Sequence, residues 1–190
     1  MSMPRIAPLP PSEWSERTRT ILTADLGEAS PLGVARLGDL NLFTTIARHS
    51  RLFPAWMRFG QALLADGSLP FADRELVILR VAHLCHVPYE WGHHARIALA
   101  GGLDRATVDR VVRGPTADDW DERSRLLLTA VDELHTASSV STSTWSGLRR
   151  HLDTNQLIEL PVLVGHYVLL AYTINTLEIS PEPGLEGPPQ

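Results

Sequence analysis

The sequence predicts an all-α fold, a single-domain helical bundle. Three observations carry that expectation. Apolar residues recur with helical spacing nearly throughout residues 12–179, and no stretch shows the strict alternation of a half-buried strand. Eight of the 14 prolines lie in residues 1–11 and 181–190, so the middle of the chain is left free for helix. The expected organisation is a proline-rich N-terminal arm over residues 1–11, an all-α domain over 12–179 and a proline-rich tail over 180–190. At 190 residues the chain is long enough for one well-cored domain.

The elements follow in order. A first helix is expected from Ser12, as N-cap, to about Leu26, with Trp14, Ile21 and Leu22 apolar. A Gly- and Pro-containing loop, Gly27 to Gly38, leads to Asp39 and a short helix through Ala47. The next runs from about Leu52 to Ala65, with Trp56, Phe59, Leu63 and Leu64 as its buried stripe. Another opens at Pro70 and Asp73 and continues to His86. Val87-Pro88 breaks it, because proline disfavours helix in the residue before it and suits the first helical position. A helix restarting at Pro88 ends at Gly101-Gly102, a C-cap signature. Asp104 caps Ala106 to Val112, a helix spans about Asp118 to Ala137, and Ser138 to Thr144 forms a Ser/Thr-rich linker. A short helix then precedes Asp153, which caps a long final helix to about Ile179.

Composition excludes several chemistries. All 17 positive side chains are arginine, so a Schiff base, pyridoxal-phosphate attachment and a P-loop lysine are ruled out. The one cysteine, Cys85, leaves no intrachain disulfide, Cys-x-x-Cys redox pair or iron–sulfur cluster. A net charge of −5 without clustered basic residues argues against nucleic acid. No secretory signal is evident at Met-Ser-Met-Pro-Arg, and the expected location is cytoplasmic. Leu160 to Leu177 lacks charge, but its Pro161, His166, Thr173, Asn175 and Thr176 read as a buried central helix rather than a membrane span.

Groups that can titrate concentrate between Arg74 and Arg96, where His83, His86, His93 and His94 fall within twelve residues. On a helix starting at Pro88, Glu90 and His94 are i,i+4 neighbours, and a carboxylate beside an imidazole makes an acid–base pair. The same spacing is common on solvated helix faces, and a first-turn glutamate needs only the helix dipole to account for it. Metal is a separate possibility, either through Glu90-Trp-Gly-His93 facing Asp132-Glu-Leu-His135 or through the histidine cluster, although the expected site is metal-free. Cys85 and His86 are adjacent and so point about 100° apart, which argues against a nucleophile–base pair. His166, Tyr167, Trp91 and Asn175 are either core residues or ligand contacts.

The run Arg74-Glu75-Leu-Val-Ile-Leu-Arg80-Val-Ala, then Tyr89-Glu90-Trp91-Gly-His-His94-Ala-Arg-Ile-Ala98, then Gly102-Leu103-Asp104, resembles the carboxymuconolactone decarboxylase family, which includes the alkylhydroperoxidase D-like proteins. The resemblance covers about residues 40–180 and is most specific from Glu75 to Leu103. The peroxidase branch carries a Glu, eleven residues, then Cys-x-x-Cys-x-x-x-His. Glu75 and His94 match that pattern, while Val87 and Glu90 stand where the cysteines belong and Tyr89 takes the aromatic slot. Thiol-based peroxide reduction therefore lacks both sulfurs.

The resemblance implies a cofactor-free acid–base lyase, decarboxylase-like or acting on a lactone or enolate, with a small carboxylated or enolisable substrate. His94 would donate the proton, Glu90 would orient it, and Tyr89 or Arg80 would meet a developing oxyanion. His93, Trp91, His86 and His166 are further candidates for substrate contact. At about 1.5 Å per residue, a simple antiparallel hairpin leaves Glu75 roughly 13 Å from Glu90 along the axis. A crossed pair, a displaced helix or a neighbouring subunit would be needed to bring it in. The resemblance also implies a homo-oligomer, a trimer or hexamer. The alternatives are a peroxidase-like antioxidant protein that has lost its redox cysteines and a non-catalytic ligand-binding oligomer.

Overall fold

A computed structural model describes residues 3–27, 30, 32 and 34–189. Residues 28, 29, 31 and 33 of the expected Gly27–Gly38 loop, and residues 1, 2 and 190 of the two arms, lie outside the described residues. The described part is all-α. Its helices are α1 (Glu16–Leu22), α2 (Asn41–Ile46), α3 (Leu52–Leu64), α4 (Phe71–Leu84), α5 (Pro88–Ala100), α6 (Arg105–Arg110), α7 (Glu122–Ala137), α8 (Thr142–Leu148) and α9 (Thr154–Leu177). Short 3-10 turns lie at Pro11–Glu13, Leu37–Asp39 and Val111–Thr116, and an isolated bridge joins Asp25 to Arg36.

Helix α4 is the axis of the molecule. Asp73 and every residue from Glu75 to Ala82 are buried, so it has no solvated face, and its Leu-Val-Ile-Leu run is continuous rather than amphipathic. On one side Val77, Ile78 and Val81 meet Leu127 and Val131 of α7 and Leu163 and Leu170 of α9. On the other, Leu76 and Leu79 pack on Trp91 and Ala98 of α5 and on Val108 and Val111. Each fully buried aliphatic contributes about 1.5–3 kcal/mol. A smaller cluster of Leu22, Ala47 and Phe53 seats the N-terminal elements.

The turn between α4 and α5 is a Schellman motif. Val87 N–H reaches Ala82 C=O at 2.9 Å and His86 N–H reaches His83 C=O at 3.1 Å, with His86 in the left-handed region at φ 55°. Pro88 then occupies the first position of α5. A second such motif, with Gly102 at φ 98°, ends α5.

Several boundaries differ from the sequence expectation. Ser15, not Ser12, caps α1, because the Trp14 indole N–H donates to Leu9 C=O at 2.9 Å and holds that residue extended. Helix α7 begins at Glu122 rather than Asp118. Asp119 sits at φ 65°, the Trp120 indole N–H donates to Gly114 C=O, and the Asp121 carboxylate accepts from Ser124 N–H at 2.8 Å. In α3 the buried residues are Phe53, Pro54 and Leu63, whereas Phe59 and Leu64 are 46% and 38% exposed. Leu64 lines an open cavity instead of packing into the core, and Phe59 lies edge-on to the His166 ring. The Ser138–Thr144 linker is shorter than expected, since Ser141 already caps α8.

Helix α9 is long and apolar enough to cross a membrane, yet in this fold one of its faces packs into the core and carries His166 and Tyr167 inward. Asp153 and Gln156 form a capping box at its start. Asp153→Ala is expected to cost about 1 kcal/mol in urea unfolding, with the cavity unchanged.

Candidate functional site

A cavity of about 390 Å³ lies among α2, α3, α5 and α9. Leu37, Leu42, Phe43, Trp56, Ile97 and Leu170 give it apolar walls, and its polar groups come mainly from Glu75, Glu90, His93, His94, His166 and Tyr167. Such a concave, mostly apolar space with a few convergent polar groups is the usual form of a small-molecule site.

Glu75 and His94 form its buried centre. Glu75 Oε2 lies 2.7 Å from His94 Nδ1, and Arg74 Nε donates to Glu75 Oε1 at 3.1 Å. The expected separation of Glu75 from the site is corrected here. Its partner is His94 rather than Glu90, and the two are nearly level. Glu75 is nine residues before Leu84 and His94 six after Pro88, an axial offset of about 4.5 Å that side chains span. Burial pushes the Glu75 carboxyl up, but His94 and Arg74 together hold it below the ordinary carboxylate range. Burial pulls His94 down, but Glu75 and Glu90 outweigh it and hold the imidazole above its usual value. Both shifts favour the carboxylate–imidazolium form of the pair. In that form Nδ1–H donates to Glu75, and Nε2–H donates to Tyr167 Oη at 3.0 Å. Burial keeps Tyr167 a phenol, leaving its hydrogen free to be donated onward.

Glu90 Oε2 stands 3.6 Å from His94 Nε2, beyond a hydrogen bond, and Glu90 Oε1 has no partner. Burial raises its pKa despite the partial offset from His94 and His93. Where the peroxidase pattern has a thiol, this chain has a buried carboxyl whose charged form burial disfavours.

His166 lines the same cavity, with Trp56 stacked at 6.3 Å and Phe59 edge-on at 5.2 Å. Burial lowers its pKa to about 4. A histidine whose folded value lies below its unfolded one binds fewer protons when native, so this ring removes stability as pH falls from 6.5 toward 4. Its 15N NMR signals should remain those of a neutral ring at about pH 5.5; a charged ring at that pH would contradict the burial argument.

Other candidates lie elsewhere. Arg80 is on the far side of α4, bidentate to Asp132 at 2.7 and 2.9 Å and donating to the Val111 and Val112 carbonyls, so it meets no oxyanion. Trp91 packs in the second core against His83. His86 is exposed in the α4–α5 turn, where its backbone conformation is what the fold uses. Tyr89 does line the cavity, but its O–H donates to Glu182 Oε1 at 3.0 Å while accepting from Leu42 N–H, so it is committed elsewhere. The Glu90/His93 and Asp132/His135 motifs do not converge, because Asp132 is bound to Arg80. Among the described residues no group of three or more His, Cys, Asp or Glu is arranged to hold a metal ion. Cys85 lies 3.8 Å from the His135 ring, and burial pushes its thiol up.

Two contributors escaped the sequence reading. Arg74 was only part of a motif, and Glu182 sits in the proline-rich tail with no periodicity to mark it. Tyr167 was visible only as one of two possible contacts on the final helix.

The all-α bundle of the described residues matches the AhpD-like fold of solved structures, with the Glu75–His94 pair lining its cavity. An uncharacterized peroxidase-related protein from Ralstonia eutropha JMP134, an alkylhydroperoxidase AhpD core, superposes with a TM-score of 0.81 at 19% identity, covering 96% of this chain and 94% of that one. The debrominase Bmp8 superposes at 0.77 and 17%, covering 94% and 92%. A peroxidase-related protein from Silicibacter sp. TM1040 gives 0.71 and 14%, covering 94% and 99%. The sequence pattern of the carboxymuconolactone decarboxylase family matches residues 51–133, a narrower span than the resemblance over residues 40–180. No curated protein matches the chain. Residues 51–133 thus match the carboxymuconolactone decarboxylase family, the fold is AhpD-like, and the chain, with one cysteine, lacks a Cys-x-x-Cys pair.

Proposed function

We propose that this protein is a thiol-free relative of the peroxidase-related AhpD-like proteins that binds one small, largely apolar molecule and transfers protons to it. The observation that carries the reading is the Glu75–His94–Tyr167 chain, ending beside the buried Glu90 carboxyl in an otherwise apolar cavity. In this reading Glu90 and Tyr167 are the immediate donors, and His94, charged by Glu75, restores the Tyr167 proton. A developing enolate would be stabilised by the same two hydroxyl hydrogens in a largely apolar space.

Neutral, enolisable substrates fit better than carboxylated ones. Arg74 is the one arginine among the described lining residues, and it is already held by Glu75 and by the Leu64 carbonyl at 2.8 Å. Lactone or enolate chemistry therefore suits the donor set better than decarboxylation of an acid. The relatives named for peroxidase and debrominase roles support an origin in thiol chemistry; a Bmp8 variant with cysteine replaced by alanine is known in complex with 2,3,4-tribromopyrrole, a small apolar ring. Binding without turnover is the second reading, favoured by the engagement of both His94 nitrogens within the protein.

Deuterium uptake at the α-carbons of cyclohexanone in D₂O separates these readings. The wild-type protein is expected to accelerate uptake over buffer. Glu90→Gln and His94→Asn should each lose about 100-fold of that acceleration, and Cys85→Ser should lose none. Bound cyclohexanone exchanging at the buffer rate would favour binding alone, and dependence on Cys85 would overturn the thiol-free claim.

The exposed apolar stripe Ile158, Val162, Leu169 and Tyr172 follows one face of α9 and is the surface on which a second copy would seat. Light scattering should give a mass above one chain, and Leu169→Glu with Tyr172→Glu should reduce it.

A further inference from the structure

His93 and His94 are neighbours on α5, both buried, and each meets a different glutamate at 2.7 Å: His94 Nδ1 with Glu75 Oε2, His93 Nε2 with Glu182 Oε2. Glu182 arrives from beyond α9. Its segment is tied down by the Asn41 amide, which donates to the Ser180 carbonyl at 3.0 Å, and by Leu185, which sits where a Cβ on Gly92 would be 2.9 Å away. Glu182 Oε1 accepts from Asn41 N–H at 2.7 Å and from the Tyr89 O–H at 3.0 Å.

A carboxylate only accepts, so the His93 nitrogen facing Glu182 carries the hydrogen. In the neutral ring Nδ1 is then an acceptor. It is buried, belongs to a cavity-lining residue and has no hydrogen-bond partner in the protein. Buried polar atoms are nearly always paired, so an unpaired one at a cavity calls for a ligand donor.

We infer that Glu182 is a positioning residue of this site: by taking the Nε2 hydrogen it fixes His93 in the tautomer whose Nδ1 accepts an O–H or N–H from the ligand. The inference rests on the cavity being a small-molecule site, and it names the ligand class as an apolar ring bearing one acidic O–H or N–H. Glu182 acts through His93 and does not itself touch the ligand.

Phenol and benzene serve as probes, titrated by NMR into the full chain. Benzene tests the cavity, and phenol adds the one hydrogen that His93 would receive. Wild-type protein should bind phenol about tenfold more tightly than benzene. Glu182→Leu should abolish that advantage and leave benzene binding unchanged. Glu182→Gln keeps a neutral acceptor and the packing, and should retain part of the advantage; it carries the test should the leucine variant not fold. Histidine 15N spectra should show His93 protonated at Nε2 in the wild type and in tautomeric exchange in Glu182→Leu, with His94 unmoved. Equal affinity for the two probes in the wild type, or a phenol advantage that survives both substitutions, would overturn the inference while leaving the cavity reading intact. Failure of both probes to bind would overturn the cavity reading and this inference with it.

Discussion

Replacing Glu75 with alanine is expected to lower the unfolding free energy by about 3–5 kcal/mol. Glu75 is 0% exposed, so water does not screen its two partners. Its loss strands the His94 imidazolium and one arm of Arg74 in the interior, and an unpaired buried charge costs more than the pair itself contributes. Urea unfolding of Glu75→Ala checks the magnitude. A Glu75→Leu, His94→Leu double variant should recover much of the loss, because it removes both charges together. The pH dependence has a defined sign. Glu75, with its lowered value, contributes above 4.5, and that contribution disappears as pH falls through the folded value. His94, with its raised value, contributes fully below 6.5 and loses its share as pH rises through the folded value. The alanine variant should flatten both limbs.

Arg80→Leu should cost about 3 kcal/mol, and this loss has nothing to do with the cavity. Its guanidinium holds Asp132 and two carbonyls of the 3-10 turn after α6, and it passes so close to Gly114 that a Cβ there would lie 2.4 Å from it. Substitution leaves an aspartate and two carbonyls without their donor. Differential denaturation measures the loss, and benzene affinity in the folded variant should match wild type. A selective loss of binding with normal stability would return Arg80 to the site.

What the sequence made legible was local. The Pro88 restart, the Gly101-Gly102 stop and the Glu90–His94 spacing depend on residues a few positions apart, and each is present in the fold. Glu75 is also within reach of helix arithmetic, because the residue level with it across the turn is His94 rather than Glu90. Arg80 shows the opposite difficulty. In a helix buried on every side, periodicity does not say which face a charged residue takes, so an arginine near the acid–base cluster read as part of it. Glu182 was beyond local reasoning, because 89 residues separate it from His93 and a proline-rich tail carries no pattern to place it. The packed face of α3 was misread for a related reason: a cavity is a lack of neighbours, and apolar residues lining it look like core in a sequence.

We propose Glu75 and His94 as a carboxylate–imidazolium pair beside a cavity that no cysteine among the described residues lines, ready to supply a proton to it. Histidine-selective 15N NMR of the wild-type protein at neutral pH tests it most directly. The account predicts that both His94 ring nitrogens carry hydrogens at pH 7, and that this charged state is lost in Glu75→Gln. A His94 ring with a single hydrogen at pH 7 in the wild type would contradict it.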